Sequence, residues 1–209
     1  LLAHKPMLGY VVEAYRAAGA REIVLVVGPD DTLTAPLFPD CTIAVQTEQK
    51  GTGHAALVGY NALTQTVDKV IVALGDQPFV HVETIKNTLQ QPDVVSVVAM
   101  RPEDPSRYGR LVTDATGALL RIVEYKDASE AERSISLCNA FPIALHASKA
   151  KELLSAITCE NAAGEYYFTD VITLANDKGY RCGYLEAPVA EAVAANTREE
   201  LAALEAIVQ

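Results

Sequence analysis

The sequence lacks several features that would place it in other protein classes. It has no tryptophan, and its four cysteines, at residues 41, 138, 159 and 182, form no CxxC pair. This spacing argues against a zinc site and against a short disulfide framework. The longest apolar runs, such as EIVLVV and KVIVAL, are far shorter than the ~20 residues that span a bilayer. We therefore expect reduced thiols and a cytoplasmic protein that has no membrane partner.

Basic residues are also scarce. The chain has 17 Lys and Arg against 27 Asp and Glu, a formal net charge of -10. Because this charge repels the backbone of nucleic acids, we expect no nucleic-acid partner. An acidic chain that handles an anionic nucleotide must concentrate cations locally or use a metal ion. The four histidines, at residues 4, 54, 81 and 146, form no i, i+4 pair and no Ser-His-Asp pattern, so covalent catalysis is not indicated.

The sequence is rich in short apolar runs that alternate with helical segments. The runs EIVLVVG, CTIAVQT, KVIVALGD and VVSVVAM are typical of strands that are buried on both faces. This alternation predicts an α/β fold with a doubly wound, mostly parallel Rossmann-like sheet and helices on both faces. The later stretch RLVTDATGALLRIVE predicts an inserted antiparallel hairpin on the substrate side. Since no linker or repeat divides the chain, we predict one domain over residues 1–209.

The two ends of the chain both predict helices. In LLAHKPMLGYVVEAYRAAGA, Pro6 suits a first helical turn and Gly19 suits the exit. A βαβ fold normally places a strand before such a helix, and because none is present we expect further residues upstream of Leu1. At the other end, TREELAALEAIVQ predicts an amphipathic helix in which Thr197 is the N-cap.

Two polar strings follow predicted strands, where ligands bind in doubly wound folds. In QTEQKGTGHA, residues 46–55, Gly51 and Gly53 permit a tight turn whose amides could meet a base or an anion. Taken alone, an ordinary strand-to-helix turn explains this string better. In LGDQP, residues 74–78, Asp76 could bind a cation at the ligand edge or could be the N-cap of the next helix.

Four more strings carry candidate polar residues. They are RYGR at residues 107–110, IVEYKD at 122–127, LCN at 137–139 and GEYYFTD at 164–170. Each residue has an ordinary structural explanation when taken singly: a strand edge for Glu124, a turn for Asn139 and partly buried packing for the tyrosines. The order of the strings over nearly the whole chain is the more specific signal.

In that order the strings resemble the sugar-1-phosphate nucleotidyltransferases, and in particular the uridyltransferase domain of the bifunctional N-acetylglucosamine-1-phosphate uridyltransferases. The resemblance implies nucleotide contacts from Gln46, Gly51, Thr52 and Gly75. It implies that the amino sugar is surrounded by Gly109, Glu124, Asn139, Tyr167 and Thr169. It also implies that Asp76 and Asn196 are catalytic residues that bind Mg²⁺, whose few hard oxygen ligands suit this pair.

The resemblance further implies a reaction and its partners. UTP and N-acetylglucosamine-1-phosphate would give UDP-N-acetylglucosamine, a precursor for cell wall peptidoglycan, and pyrophosphate. The family's Gly-rich loop with Arg and Lys is expected upstream of Leu1, and an acetyltransferase domain beyond Gln209 would support a homo-oligomer.

Two alternatives stay open. One is an enzyme of the same fold for another sugar or polyol phosphate, with UTP or CTP. The other is a non-catalytic regulatory homologue that binds a sugar nucleotide. Departures from the family pattern at Leu74, at residues 140–142 and at Thr197 fall at the expected sugar and metal walls.

Overall fold

The fold is that of a computed structural model, which describes residue 2, residues 4–105 and residues 108–194. Within these residues the strands are β1 (Val24–Val27), β2 (Thr42–Val45), β3 (Lys69–Val72), β4 (Val95–Met100), β5 (Arg110–Thr113), β6 (Leu119–Val123), β7 (Cys138–His146) and β8 (Cys182–Glu186). The helices are α1 (Met7–Ala17), α2 (Thr34–Leu37), α3 (Thr52–Asn61), α4 (Val82–Gln90), α5 (Glu130–Arg133), α6 (Ala147–Ala156) and α7 (Val171–Asp177). Short 3-10 turns span Phe168–Asp170 and Val189–Ala192.

The described strands form two sheets. β1 and β2 make a parallel pair, and the other six strands form a sheet around β7. β7 is antiparallel to β3, β4 and β5, while β4 and β8 are parallel. Four strands of the larger sheet (β3, β4, β5 and β8) therefore run in one direction, and β6 and β7 run in the other.

Helices cover both faces of the sheets. An apolar cluster on one face joins α1 and α4 through Val11, Tyr15 and Ile85. A larger cluster on the opposite face joins α3, α6 and α7 to β4 and β7, with Leu153 and Ile172 at its centre. All six residues of β4 are buried, as expected for a strand between two helical layers.

The predicted α/β class with a doubly wound, mostly parallel Rossmann-like sheet is confirmed, and the hairpin appears as the antiparallel pair β5–β6. Asp114 organises the hairpin turn: its Oδ1 accepts hydrogen bonds from the amides of Thr116 and Ala118 at 2.8 and 2.9 Å. The sequence did not predict that β7 reverses the chain direction in the middle of the sheet. The predicted C-terminal helix, including Thr197, lies outside the described residues. No helix in the described part of the chain is long and apolar enough to cross a membrane.

Candidate active site

The turn after β2 is organised by Gln46. Its side chain is buried, and its Nε2 donates to the carbonyl of Gly51 at 3.1 Å and lies 3.0 Å from Nδ1 of His54. One side chain thus fixes both the end of the turn and the first turn of α3. The amide side chain remains close to where α3 begins, a position that suits recognition of a polar ligand edge.

Gly51 and Gly53 are glycines for steric reasons. Gly51 has a φ of +119°, and a Cβ there would lie 2.7 Å from the carbonyl oxygen of Tyr166. A Cβ on Gly53 would lie 3.0 Å from the same oxygen and 2.9 Å from Ile157. The turn therefore packs directly against the backbone of the distant GEYYFTD string, which only glycine permits at such distances.

Three hydrogen bonds join these two segments, which are more than a hundred residues apart in sequence. The amide of Gly53 donates to the carbonyl of Tyr166 at 2.7 Å, and the amide of Tyr166 donates to the carbonyl of Lys50 at 2.9 Å. The hydroxyl of Thr52 accepts from the amide of Phe168 at 3.0 Å. The turn that carries the predicted nucleotide residues Gly51 and Thr52 is therefore hydrogen-bonded to the segment that carries the predicted sugar residues Tyr167 and Thr169.

The second group of predicted residues converges on Glu124. Thr169 donates through Oγ1 to Oε1 of Glu124 at 2.9 Å, and a Cβ added at Gly109 would lie 3.2 Å from Oε2. The backbone amide of Asn139 donates to the backbone carbonyl of Gly109 at 2.8 Å, and this bond aligns β7 beside the glycine. Burial raises the pKa of Glu124, while the bond from Thr169 acts in the opposite direction. This carboxylate keeps acceptor capacity for a hydroxyl of a ligand.

The negative charge of Glu124 also contributes to the raised pKa values of Asp170 and Tyr167. Burial raises the pKa of Asp170 to about 6, with Glu124 and Asp127 adding to the shift. Burial also raises the pKa of Tyr167, and Asp127 and Glu124 contribute further. Tyr167 thus lies within the electrostatic reach of the predicted sugar group. Asp170 was not predicted as a site residue, although it ends the GEYYFTD string.

Asp76 lies in the turn after β3. It is not the N-cap of the following helix, because α4 begins at Val82 and His81 occupies the cap position. Its Oδ1 is buried and has no hydrogen-bond partner among the described residues, and burial raises its pKa. The neighbouring Gly75 lies where a Cβ would be 3.4 Å from Leu8. An unpaired buried carboxylate oxygen is costly unless a cation or donor arrives.

The segment after β8 is bound to the loop between Asp76 and α4. Glu191 is buried; its Oε2 accepts from the amide of His81 at 2.9 Å, and its Oε1 lies 3.1 Å from Nδ1 of the same histidine. Gln77 also reaches the carbonyl of Ala192, at 3.5 Å. Sequence reasoning missed Glu191, which carries no motif signal of its own. The other predicted metal ligand, Asn196, lies outside the described residues.

Hydrogen bonds therefore connect most of the predicted residues that the structure describes. The turn with Gln46, Gly51 and Thr52 is bonded to the segment that carries Tyr167 and Thr169, which in turn reaches Glu124. Oδ1 of Asp76 forms no hydrogen bond with any of these residues. Within the described residues no group of three or more His, Cys, Asp or Glu side chains could hold a metal ion. Any cation there would depend on few protein ligands.

Comparison with known proteins points in one direction. A family model described as the MobA-like NTP transferase domain matches residues 1–204. Three relatives called bifunctional protein GlmU are similar over nearly the whole chain. The protein from Azorhizobium caulinodans is 40% identical over 100% of this chain, that from Ruegeria sp. is 39% identical over 100%, and that from Paracoccus denitrificans is 41% identical over 98%. The chain covers 48%, 47% and 46% of these relatives, so it spans about half of their length.

Proposed function

Because the chain belongs to the MobA-like NTP transferase family, and is therefore a nucleotidyltransferase domain, we propose that it joins UTP to N-acetylglucosamine-1-phosphate. The products are UDP-N-acetylglucosamine and pyrophosphate. The similarity to GlmU supports a sugar nucleotide product, and the strings of polar residues described above support this pair of substrates.

The observation that carries the proposal is the bonded contact between the turn at residues 46–55 and the segment at residues 164–170. A transfer between two substrates requires that both be held in one geometry, since most of the advantage comes from positioning. The turn and the segment form two walls of the proposed site. The hydrogen bonds between Gly53 and Tyr166 and between Thr52 and Phe168 hold these two walls together. A nucleotide at the first wall and a sugar at the second would then be held at a fixed separation.

The residues of this chain have separate tasks in the proposed reaction. Gln46 and the amides that begin α3 orient the base of the nucleotide. Glu124 accepts from a sugar hydroxyl, and Asn139 offers an amide to a hydroxyl or acetamido group. No protein base is needed for the attack on the α-phosphorus, because the sugar phosphate is already anionic. The chain therefore acts by binding and orienting both substrates in line.

The residues present fit a divalent cation. Asp76 lies in the turn after β3 with one buried carboxylate oxygen unpaired, and a hard oxygen donor is what Mg²⁺ prefers. Asp76, together with Asn196, would hold the ion, with water and phosphate supplying the other ligands. When bound, Mg²⁺ would offset the negative charge that develops on the phosphates. Glu191 and Gln77 would anchor the segment that leads toward Asn196.

The proposal is tested by a substrate matrix. Pyrophosphate release is measured with UTP, CTP or ATP against N-acetylglucosamine-1-phosphate, glucose-1-phosphate and a polyol phosphate. We expect the highest kcat/KM for UTP with the N-acetylated sugar. A preference for CTP or for another phosphate would replace the proposed substrates while keeping the reaction. Tight binding of UDP-N-acetylglucosamine without turnover of any pair would contradict catalysis and would favour a regulatory role.

The metal assignment is tested by Asp76→Asn, which removes the charge and keeps the shape. Loss of one positioned charge-stabilising element typically costs ~3 kcal/mol, so we expect turnover to fall on the order of 10²-fold. The Mg²⁺ concentration for half-maximal rate should rise, while the melting temperature without ligand should not fall, because the variant loses a buried carboxylate whose pKa is raised. Asp114→Asn makes the same chemical change in the hairpin turn and serves as the control. A variant with an unchanged rate and unchanged Mg²⁺ dependence would remove Asp76 from the metal site.

A further inference from the structure

Two carboxylates in the described part of the chain are almost completely buried, Asp93 and Glu191 at 5% and 4% exposure. Asp93 precedes β4 and pairs with Arg181, which precedes β8, so this pair lies at the amino ends of two parallel strands. Glu191 lies in the 3-10 turn Val189–Ala192, after the carboxyl end of β8. Ligands bind beyond the carboxyl ends of strands in this fold, so Glu191 is on the side of the sheet where ligands bind.

Glu191 receives two contacts from a single residue, His81. Its Oε2 accepts from the backbone amide of His81 at 2.9 Å, and its Oε1 is 3.1 Å from Nδ1 of the ring. Contacts to both oxygens of one carboxylate fix its direction as well as its distance. These two contacts, here called the clamp, join the turn after β8 to the residue that precedes α4.

Gln77 makes a further contact between the same two segments. It is buried, and its Nε2 reaches the carbonyl of Ala192 at 3.5 Å. Each segment is also fixed to the core by an apolar residue, since Val80 belongs to the cluster with Ile85 and Ala192 to the cluster with Met100. The core therefore positions the two segments separately, and polar contacts join them to one another.

The segments joined by the clamp carry the two proposed ligands of the cation. Asp76 directly precedes Gln77, and its buried Oδ1 has no hydrogen-bond partner among the described residues. Asn196 follows Ala192 in the sequence and lies outside the described residues. Because a chain spans at most roughly 3.5 Å per residue, the place at which Ala192 is held limits the positions that Asn196 can reach. Mg²⁺ requires near-ideal ligand geometry, so its affinity depends on how closely the two ligands are held.

We propose that Glu191 is a positioning residue that determines the affinity of this cation site without contacting the cation. The inference rests on the proposed function, because it takes Asp76 and Asn196 as the ligands. While the clamp is formed, the segment that leads to Asn196 is held beside the turn that carries Asp76, so the two ligands are ordered before the ion arrives. While the clamp is open, the ion must supply that ordering, and its affinity falls.

The coupling between the clamp and the cation works in both directions. If an open clamp weakens cation binding by some factor, a bound cation suppresses clamp opening by the same factor, because linkage is reciprocal. Clamp opening is measurable without substrate, since the amide of His81 donates to Glu191 and exchanges with solvent when this bond breaks. The exchange rate of one amide therefore reports on a cation site that the amide does not touch.

The first experiment measures cation affinity in the intact protein without substrate. Mn²⁺ is the probe, because it accepts the same oxygen ligands as Mg²⁺ and its free concentration is read by electron paramagnetic resonance. Glu191→Ala removes both contacts of the clamp, whereas Glu191→Gln keeps one acceptor and His81→Ala keeps the bond to the backbone amide. We expect the Mn²⁺ dissociation constant to rise on the order of tenfold in Glu191→Ala and about threefold in the other two variants. The His81 side chain is 71% exposed, so His81→Ala tests the clamp even if Glu191→Ala does not fold.

Two further variants serve as controls. Asp93→Asn is matched to Glu191→Gln, because it turns the other buried carboxylate into an amide at the amino ends of β4 and β8. Both variants should lower the melting temperature, since each loses a charge-assisted hydrogen bond, but only Glu191→Gln should change the Mn²⁺ dissociation constant. Asp76→Asn should lose Mn²⁺ binding while the exchange of the His81 amide in metal-free protein stays unchanged.

The second experiment measures amide exchange by NMR with and without Mg²⁺, again without substrate. We expect Mg²⁺ to slow exchange at His81 on the order of tenfold, the same factor by which Glu191→Ala weakens Mn²⁺ binding. The amide of Ile85, which donates to the carbonyl of His81 at 3.1 Å in the first turn of α4, is the internal reference and should not respond. In Asp76→Asn, Mg²⁺ should no longer slow exchange at His81.

Two results would overturn the role of Glu191 while leaving the metal site in place. One is wild-type Mn²⁺ affinity in both Glu191→Ala and His81→Ala when Asp76→Asn has lost it. The other is an unchanged exchange rate at His81 when Mg²⁺ is added to wild-type protein that binds Mn²⁺. Failure of the proposed function has a different signature, since wild-type protein and Asp76→Asn would then bind Mn²⁺ equally or not at all. That result would also end the proposed coupling.

Discussion

Gly51→Ala offers the most specific test of the joined walls of the site. The glycine has a φ of +119°, and an added Cβ would lie 2.7 Å from the carbonyl oxygen and 2.9 Å from the amide nitrogen of Tyr166. Both are backbone atoms, so no side chain can rotate away to make room. The substitution must either strain residue 51 or separate the turn from the segment at Tyr166.

The magnitude follows from two contributions. A side chain in this glycine-specific region of φ costs about 1–3 kcal/mol. Separation of the segments would break the bonds of Tyr166 with Gly53 and Lys50, each contributing about 0.5–1.5 kcal/mol net. We therefore expect a loss of about 2–6 kcal/mol when both contributions apply, or a smaller loss with a loosened site if the segments separate locally. In the second case the KM for UTP should rise.

Two other glycines separate these contributions. Gly117 has a φ of +86°, and a Cβ added there would have no atom within 4 Å, so Gly117→Ala reports the conformational cost without a clash, about 1–2 kcal/mol. Gly53→Ala reports the clash in a helical residue, since its Cβ would lie 3.0 Å from the carbonyl of Tyr166. The measurements are urea denaturation and the KM for each substrate. If Gly51→Ala cost no more than Gly117→Ala and left both KM values unchanged, the two walls would not be coupled.

Two further predictions concern the group around Glu124. Glu124→Ala and Asn139→Ala should each weaken binding of the sugar phosphate by roughly 1–3 kcal/mol, because a ligand group is left unpaired, with little change in UTP binding. Calorimetric titration with each substrate checks this. Weaker UTP binding with unchanged sugar-phosphate binding would instead assign these residues to the nucleotide. Asp170 has a folded-state pKa of about 6, above its ordinary value of 3.8, so the folded protein binds the extra proton and stability falls as pH rises between these values. Asp170→Asn should therefore raise the urea midpoint at pH 7 and have little effect at pH 3.5, and equal effects at both pH values would contradict a raised pKa.

Local features of the fold were predictable because their signals are local. Pro6 and Gly19 bound α1 as expected, and the Asp114 turn forms the hairpin between β5 and β6. The alternation of apolar runs predicted the α/β class. The pairing of β7 with three other strands could not be predicted, since apolar runs of this kind carry no information about direction or partner.

In the candidate site, too, local signals were predictable from the sequence and long-range contacts were not. The strings with Gln46, Glu124 and Thr169 were identified from their order, but their bonding depends on contacts between segments far apart in sequence. The two explanations of Asp76 could not be separated without knowing that α4 begins at Val82. Glu191 was missed because a buried acceptor for the amide of His81 has no characteristic sequence pattern.

The central position of β7 has a consequence for synthesis. β3 and β4 both take β7 as a neighbour, and β8 joins β4 still later in the chain. A ribosome that makes roughly 5–20 residues each second therefore exposes two aliphatic strands for several seconds before their partner emerges. During that interval their edges are open to pairing with other nascent chains. We expect the yield of native protein to depend on chaperones that shield residues 69–100 until translation has passed His146.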